Sequence, residues 1–328
     1  MLILSASDVR RALPMPDAIE LMKRAFASLA RGEATVPLRT HLSARDDGGV
    51  TLVMPARVDG ESSSLAVKIV SVFGDNAEVG LPTLHAAVIV LDPDTGRPLA
   101  VLEGSSLTAI RTAAASGAAT DLLAQPESRT LAVLGAGIQA RSHIEAMCSV
   151  RPITTIRVFD PAPGKVELLI DELAGSGPHQ AEIVRADSAA GAVREADIIC
   201  TTTTARTPVF EDANVKPGAH INAVGAYTPD TRELSGATVA RAWVVVDDRA
   251  AAWAEAGDLI QARDEGLIEA DHVRAELGEL VIDDDLRPSD PDQPTLFKTV
   301  GVAVQDAVAA SAALNRATEL GSGTDVPW

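Results

Sequence analysis

The segment LAVLGAGIQA at 131–140 constrains this chain more than any other. A hydrophobic run reads as a strand, G-A-G-I-Q-A follows it, and a helical pattern begins at once. Gly135 permits the tight turn and Gly137 lets a pyrophosphate approach the backbone. Ala140 takes the third small position, where helix packs on strand. The free N–H groups of the helix start then face the phosphates. The pattern alone is a weak signal, equally read as a plain strand-to-helix turn. Its context carries it: a second strand, TIRVFD, ends in Asp160, roughly 20 residues on, the spacing of the acid that binds an adenosine ribose. A carboxylate there repels a 2′-phosphate, so NAD(H) is expected and NADP(H) disfavoured. Arg157, close by, works against that preference.

Around this motif strands and helices alternate. Thr130–Leu134, Thr155–Asp160, Asp197–Thr201, His220–Val224 and Trp243–Asp247 read as strands, and Ile138–Cys148 and Lys165–Leu173 as helices. Such alternation argues for a parallel sheet covered on both faces. The opening block is different. A helix starts at Ser7 and Asp8, Pro14 ends it, and Ile19, Met22, Phe26 and Leu29 fall at helical spacing in the next. Thr51–Met54, Leu65–Phe73, His85–Leu91 and Leu99–Leu102 then read as strands, with turns at DDGG 46–49 and DPDTG 92–96. SSLTAIRTAAASGAATDLLA is a long helix of small residues. After a polar, Pro-rich loop at 283–295, VGVAVQDAVAASAALNRATEL is a final helix that can return to the first block. The fold class expected is α/β: a Rossmann doubly wound parallel sheet over 116–300, plus a discontinuous α+β domain over 1–115 with 301–328 returning to it.

Bulk properties exclude some functions. A net charge of -18 repels phosphate backbones, so nucleic-acid binding is not expected. Aromatic residues make up 3%, so Ala, Val, Leu and Ile must fill the core. Cys148 and Cys200 form no CxxC or Cys/His cluster, so no metal site is expected. They read as buried free thiols in a reducing compartment. The N-terminus MLILSASDVRR lacks a signal-peptide pattern, and no stretch reaches the ~18 apolar residues of a membrane span. The expectation is a cytoplasmic protein with no membrane partner.

Several residues are candidates for substrate chemistry. Lys68 lies in LAVKIVSVF on the same face as Ala66 and Val70. It is either an ammonium in a pocket, binding a carboxylate or moving a proton, or a solvated residue of an edge strand. Arg39 in PLRTHL and Arg111 in the small-residue helix can clamp a carboxylate or phosphate, or be surface residues. His41 and His85 are weaker acid–base candidates, and His143 reads as packing on the fingerprint helix.

GLPTLHAAVIVLDPDTGRPLAVLEG, LTAIRTAAASGAAT, LAVLGAGIQA, VFD, NAVGAYTPDTREL and LFKTVGVAVQDAVAA occur in one order along nearly the whole chain. Together they resemble the ornithine cyclodeaminase/mu-crystallin family. The resemblance implies a homodimer, each subunit having a substrate and dimerisation domain built from both chain ends and a central Rossmann domain. It places Arg39 and Lys68 at the substrate carboxylate, and Arg111 where substrate and cofactor phosphates meet. Thr83, Ile138, Gln139 and Asp160 fall at cofactor contacts, with Thr202, Val224 and Val300 as further cofactor neighbours.

The family's chemistries share hydride exchange between nicotinamide and a carbon bearing nitrogen. The resemblance therefore implies an NAD(P)H-dependent reductase of a small imino acid, such as Δ1-pyrroline-2-carboxylate, or the equivalent dehydrogenase of an amino acid such as alanine. A cyclodeaminase releasing ammonia from ornithine is the alternative, and a non-catalytic binding protein a third. One departure bears on the choice. Where the cyclodeaminases carry an aspartate after the two small residues of GAYTPDTREL, this chain has Tyr227. The next acid is Asp230.

Overall fold

The computed structural model describes residues 1–45, 48–60, 63–174 and 181–328. Asp46 and Asp47, of the turn expected at 46–49, lie outside the described residues. The chain divides into two compact units, Met1–Thr112 with Val302–Trp328, and Ala113–Gly301.

The first unit opens with β1 (Leu2–Leu4) and α1 (Ala6–Ala12). The start expected at Ser7 and Asp8 moves back to Ser5. Its hydroxyl accepts from the Asp8 N–H at 3.3 Å while the Asp8 carboxylate accepts from the Ser5 N–H at 3.0 Å. This reciprocal cap needs its acid three residues into the helix, which makes Asp8 the partner and not the cap. Pro14 separates α1 from α2 (Met15–Ala30), which buries Met15, Ile19, Met22 and Phe26. There follow β2 (Ala34–Thr35), β3 (Thr40–Arg45), β4 (Gly49–Val58), β5 (Ser64–Phe73), β6 (Leu84–Leu91) and β7 (Pro98–Glu103). The sheet runs β2-β4-β5-β6-β7-β1, with β3 also on β4. It is antiparallel from β4 to β7, and β1 lies parallel to β7. α3 (Gly104–Leu123) follows, buried on every side from Ser106 to Thr120, where Ala, Ser and Thr predominate and allow close packing.

The second unit holds β8 (Thr130–Leu134), α4 (Ile138–Val150), β9 (Thr155–Phe159), α5 (Lys165–Leu173), β10 (Glu182–Arg185), α6 (Ala189–Val193), β11 (Ile198–Thr201), β12 (His220–Ala223), α7 (Gly236–Arg241), β13 (Trp243–Val246), α8 (Arg249–Glu255), α9 (Gly257–Asp264), β14 (Val273–Glu276), α10 (Leu277–Ile282) and β15 (Thr295–Lys298). Its sheet runs β10-β9-β8-β11-β12-β15-β13-β14, and every pairing is parallel. The order reverses between β8 and β11, the switch point of a doubly wound sheet. β10, β14 and β15 were not foreseen: EIVR, VRAE and TLFK carry charged residues and lack the apolar run that marked β11 and β13 at the same length of four residues. The final helix, α11 (Ala303–Glu319), starts three residues later than the pattern suggested. Gly301 has φ 81° and Val302 is extended, so neither continues a helix backwards. α11 belongs to the first unit and packs across β4 and β5 and against α2. β16 (Thr324–Asp325) closes that sheet against β1.

The core of the second unit is made of short aliphatic chains, among them Leu134, Ile199, Ile221, Val244 and Leu296. Within it lies an ion pair with no solvent exposure. Lys298 Nζ sits 2.9 Å from Asp258 Oδ2, and Asp258 Oδ1 accepts from the Glu233 and Leu234 N–H groups at 2.7 and 2.9 Å. Removing one partner of such a pair strands the other's charge. Asp258→Ala should therefore lower the unfolding free energy by about 3–5 kcal/mol, read as a reduced urea midpoint. Adding Lys298→Met should restore part of the loss. An unchanged midpoint in the single variant would show that water reaches the pair.

Candidate active site

Two sets of residues, one in each unit, have the chemistry expected of a site. The first surrounds the β8–α4 turn. Gly135 has φ 93°, and a Cβ there would lie 2.8 Å from the Thr202 carbonyl oxygen, so the position requires glycine on both counts. Gly137 caps α4 without a side-chain bond, which leaves the helix's first N–H groups to a ligand. Ile138, next to it, is 62% exposed, and Gln139 is half-buried. Asp160 follows β9. Its Oδ2 accepts from the Ala136 N–H at 2.9 Å and its Oδ1 from the Ala162 N–H at 2.8 Å. The carboxylate is thus fixed against the glycine turn. Arg157, the residue that could have opposed it, donates to the Arg194 carbonyl at 2.6 Å. Arg141 donates to the carbonyls of Ala136 and Gly137 at 3.1 and 2.8 Å and pairs with Glu172, tying the turn to α5.

Buried carboxylates hold the neighbouring loops. Glu233 accepts from the Thr203 N–H and hydroxyl at 2.7 and 2.8 Å, from the Thr201 hydroxyl at 2.8 Å and from the Gly225 N–H at 2.7 Å. One side chain therefore ties the ends of β11 and β12, where Thr202 and Val224 lie. Burial, followed by the charge of Asp258, pushes its carboxyl upward, while Lys298 pulls it down. Gly225 is forced here: a Cβ would fall 2.0 Å from the Thr203 carbonyl oxygen. Asp247 does the same work after β15. It accepts from the Thr299 hydroxyl at 2.6 Å and from the Val300 and Gly301 N–H groups at 2.9 and 2.6 Å.

The second set lies in the first unit. β5 runs between β4 and β6, so the reading of Lys68 as a solvated edge residue is overturned: its side chain is 2% exposed. Lys68 Nζ stands 2.7 Å from Asp306 Oδ2 on α11, and Arg111 Nε donates to Asp306 Oδ1 at 3.0 Å. Arg111 Nη1 donates to Gln305 Oε1 at 2.8 Å, which also accepts from the Val302 N–H at 3.0 Å. No acceptor for Arg111 Nη2 is found among the described residues. Burial lowers the Lys68 ammonium most, with the charges of Arg111 and Arg39 adding to it and Asp306 opposing, to about 7. Arg39, half-buried just ahead of β3, is thus brought within electrostatic reach of Lys68. Three cations at this cluster suit an anionic ligand with one carboxylate.

Thr83 is exposed, and its carbonyl accepts from the Phe73 N–H at 2.9 Å; His41 and His85 are exposed. His143 is buried, Nδ1 donating to the Gln139 carbonyl at 2.8 Å and Nε2 accepting from the Ser116 hydroxyl at 3.1 Å. Burial keeps it neutral, with a pKa of about 4. Cys200 is buried and Cys148 half-buried, and burial pushes both thiols up to about 12, which makes them inert. Tyr227 is 40% exposed. Asp230 is exposed. The Thr228 hydroxyl, donating at 2.7 Å, and then Arg206 hold its carboxyl below the usual range.

Sequence reasoning missed Gln305, Asp306, Glu233, Asp247 and Asp258. Asp306 had a signal, an acid set among Ala and Val in the first turns of α11. Gln305 adjoins it in α11, while Glu233 and Asp247 sit in loops and Asp258 in the first turn of α9, where an acid is unremarkable until its burial is known.

The comparisons with known proteins agree with this geometry. The family model described as the ornithine cyclodeaminase/mu-crystallin family matches residues 1–320. A Δ1-pyrroline-2-carboxylate reductase of Bacillus cereus is 36% identical over 329 residues, 100% of each chain. The solved structure of the Thermococcus litoralis Δ1-pyrroline-2-carboxylate reductase, in complex with NADH and L-proline, is 40% identical. It superposes with a TM-score of 0.93 over 99% of this chain and 100% of its own. An archaeal alanine dehydrogenase dimer with bound NAD is 30% identical, with a TM-score of 0.90 over 100% and 99%. A family match over nearly the full length, together with these relatives, establishes that the chain belongs to the ornithine cyclodeaminase/mu-crystallin family.

Proposed function

We propose that this chain is an NADH-dependent oxidoreductase that reduces a small cyclic imino acid, with Δ1-pyrroline-2-carboxylate as its substrate. Oxidation of a small amino acid such as alanine is the same step reversed. The observation that carries the reading is Lys68, buried against Asp306 and beside Arg111, at a pKa where it can both hold and release a proton near neutral pH. The relatives named above support it, since two are pyrroline-2-carboxylate reductases and one an alanine dehydrogenase.

The residues around the β8–α4 turn fit a dinucleotide. Gly135, Gly137, Ile138 and Gln139 would take the pyrophosphate and Asp160 the adenosine ribose; Thr202, Val224 and Val300 lie on the ordered loops. Thr83 and Arg111 are retained as cofactor contacts on the family resemblance. When bound, NADH supplies the hydride that reduces the imine carbon. The chain's own part is binding and proton transfer. Arg39 and Arg111 hold the substrate carboxylate. Lys68 in its ammonium form gives a proton to the imine nitrogen, so that C=N becomes CH–NH.

The sign of the pH dependence follows. The donor form of Lys68 is lost as pH rises through about 7, so kcat/KM for imine reduction falls on that side. A bound substrate carboxylate favours the ammonium, so the same limb in kcat lies at higher pH. In the oxidative direction the neutral amine is needed and the limb inverts.

Cyclodeamination is disfavoured by the residues present. Tyr227 is a phenol where that chemistry uses a carboxylate, and Asp230 is exposed and committed to Thr228 and Arg206. We also propose a homodimer. One relative is a dimer, and Leu38, Leu42, Val79 and Leu81 of the first unit are exposed. The two free thiols suit a reducing, cytoplasmic setting. Among the described residues no helix is long and apolar enough to cross a membrane.

Three outcomes are expected. Purified protein should oxidise NADH with Δ1-pyrroline-2-carboxylate, and should form no appreciable proline from L-ornithine and NAD. Ammonia and proline from ornithine without net NADH change would make it a cyclodeaminase, and inactivity on every imine a binding protein. Lys68→Ala should cut turnover by roughly 10²-fold with NADH binding nearly unchanged, and near-normal turnover would remove Lys68 from the chemistry. Asp160→Ser should narrow or invert the preference for NADH over NADPH. A wild type that already favours NADPH about tenfold would show that Asp160 does not meet the ribose.

A further inference from the structure

The reading of Lys68 as proton donor leaves a question that the first unit answers within itself. A buried lysine beside two arginines should lose its proton, yet a donor must keep it. Facing Lys68 are Met54 from β4 and Val88 from β6, both apolar, Arg111 from α3, Arg39 ahead of β3, and Gln305 and Asp306 from α11. Asp306 is the one carboxylate that the described residues place against Lys68 or Arg111. Its two oxygens are divided between them, Oδ2 at 2.7 Å from Lys68 Nζ and Oδ1 accepting from Arg111 Nε at 3.0 Å. All three side chains are almost wholly buried, so the pairing is little screened by water.

We propose that Asp306 is a positioning residue that keeps Lys68 charged and aimed for proton donation while fixing Arg111 for the substrate carboxylate. It touches neither the substrate nor the reacting atoms. It acts through the two cations it bridges. Gln305, one residue earlier on the same helix, holds the Arg111 guanidinium at a second point through Nη1. The start of α11 thus sets the direction of both cations. The proposal rests on the reading of Lys68 as donor, and it adds a residue whose removal has a particular signature. With the carboxylate gone, burial and the two arginines act on Lys68 unopposed, so its ammonium discharges at lower pH. A residue that merely filled space would leave that titration where it was.

The test uses the full-length protein and two readouts. The chain has five lysines, Lys23, Lys68, Lys165, Lys216 and Lys298, so a sample labelled with 15N at lysine Nζ gives few signals. The Lys68 signal is identified as the one missing in Lys68→Met. In Asp306→Asn, which keeps the shape and removes the charge, the Lys68 titration midpoint should fall by about one pH unit or more. The alkaline limb of kcat/KM for Δ1-pyrroline-2-carboxylate should move down with it, leaving the variant least impaired at the acid end of the range. Asp306→Glu should bring the limb part-way back, and serves in its place if Asp306→Asn does not fold, with a smaller shift in the same direction. A Lys68 midpoint unmoved in Asp306→Asn, or activity lost equally at every pH, overturns the proposal. A midpoint that falls while the kinetic limb stays put overturns the reading of Lys68 as donor instead, as does a limb that persists in Lys68→Met.

Discussion

Asp306 is a single buried carboxylate with two cations on it, and the charged side chains buried in the first unit are organised around it. Lys68 comes from the middle of a sheet, Arg111 from a helix of small residues and Asp306 from a helix almost 200 residues further on. None of the three would be tolerated alone where it lies. A charge without solvent is costly until it is matched. Matching Lys68 and Arg111 with one anion leaves positive charge over, a surplus that suits an anionic ligand.

The dinucleotide side solves a related problem by other means. At the ends of parallel strands the backbone must leave the sheet, and its N–H groups need partners. Glu233 takes those of Thr203 and Gly225, Asp247 those of Val300 and Gly301, and Asp258 those of Glu233 and Leu234. These acids bind loops to the strand ends from beneath. They allow the loops near the β8–α4 turn to be irregular in conformation and still held in place. Lys298 completes the arrangement by balancing Asp258.

Between a reductase and a cyclodeaminase the decisive residue is one that is not there. Beyond a hydride from the cofactor, reduction of a preformed imine needs a carboxylate clamp and one proton, the roles proposed for Arg39, Arg111 and Lys68. Cyclisation of a diamine needs a further base, and a phenol, protonated at neutral pH, is poorly suited to that task. Asp230, three residues on from Tyr227, is exposed and paired with Arg206.

Much of this was legible in the residues. LAVLGAGIQA, with a strand before it, a helix after it and Asp160 at the end of the next strand, determines a dinucleotide fold, because the turn, the close approach and the ribose acid are each a local requirement. Strand–helix alternation determines the parallel sheet, and the period-two pattern puts Lys68 on the same face of its strand as Ala66 and Val70. Three kinds of fact needed the tertiary structure. The four-residue strands β10, β14 and β15 carry charged residues, and only their pairing with neighbours identifies them. The burial of Lys68 depended on β4 and β6 flanking β5, which no run of its own sequence states. The partnership of Lys68, Arg111 and Asp306 joins residues far apart in the chain, and Coulomb attraction acts over ångströms of space, whatever the separation in sequence.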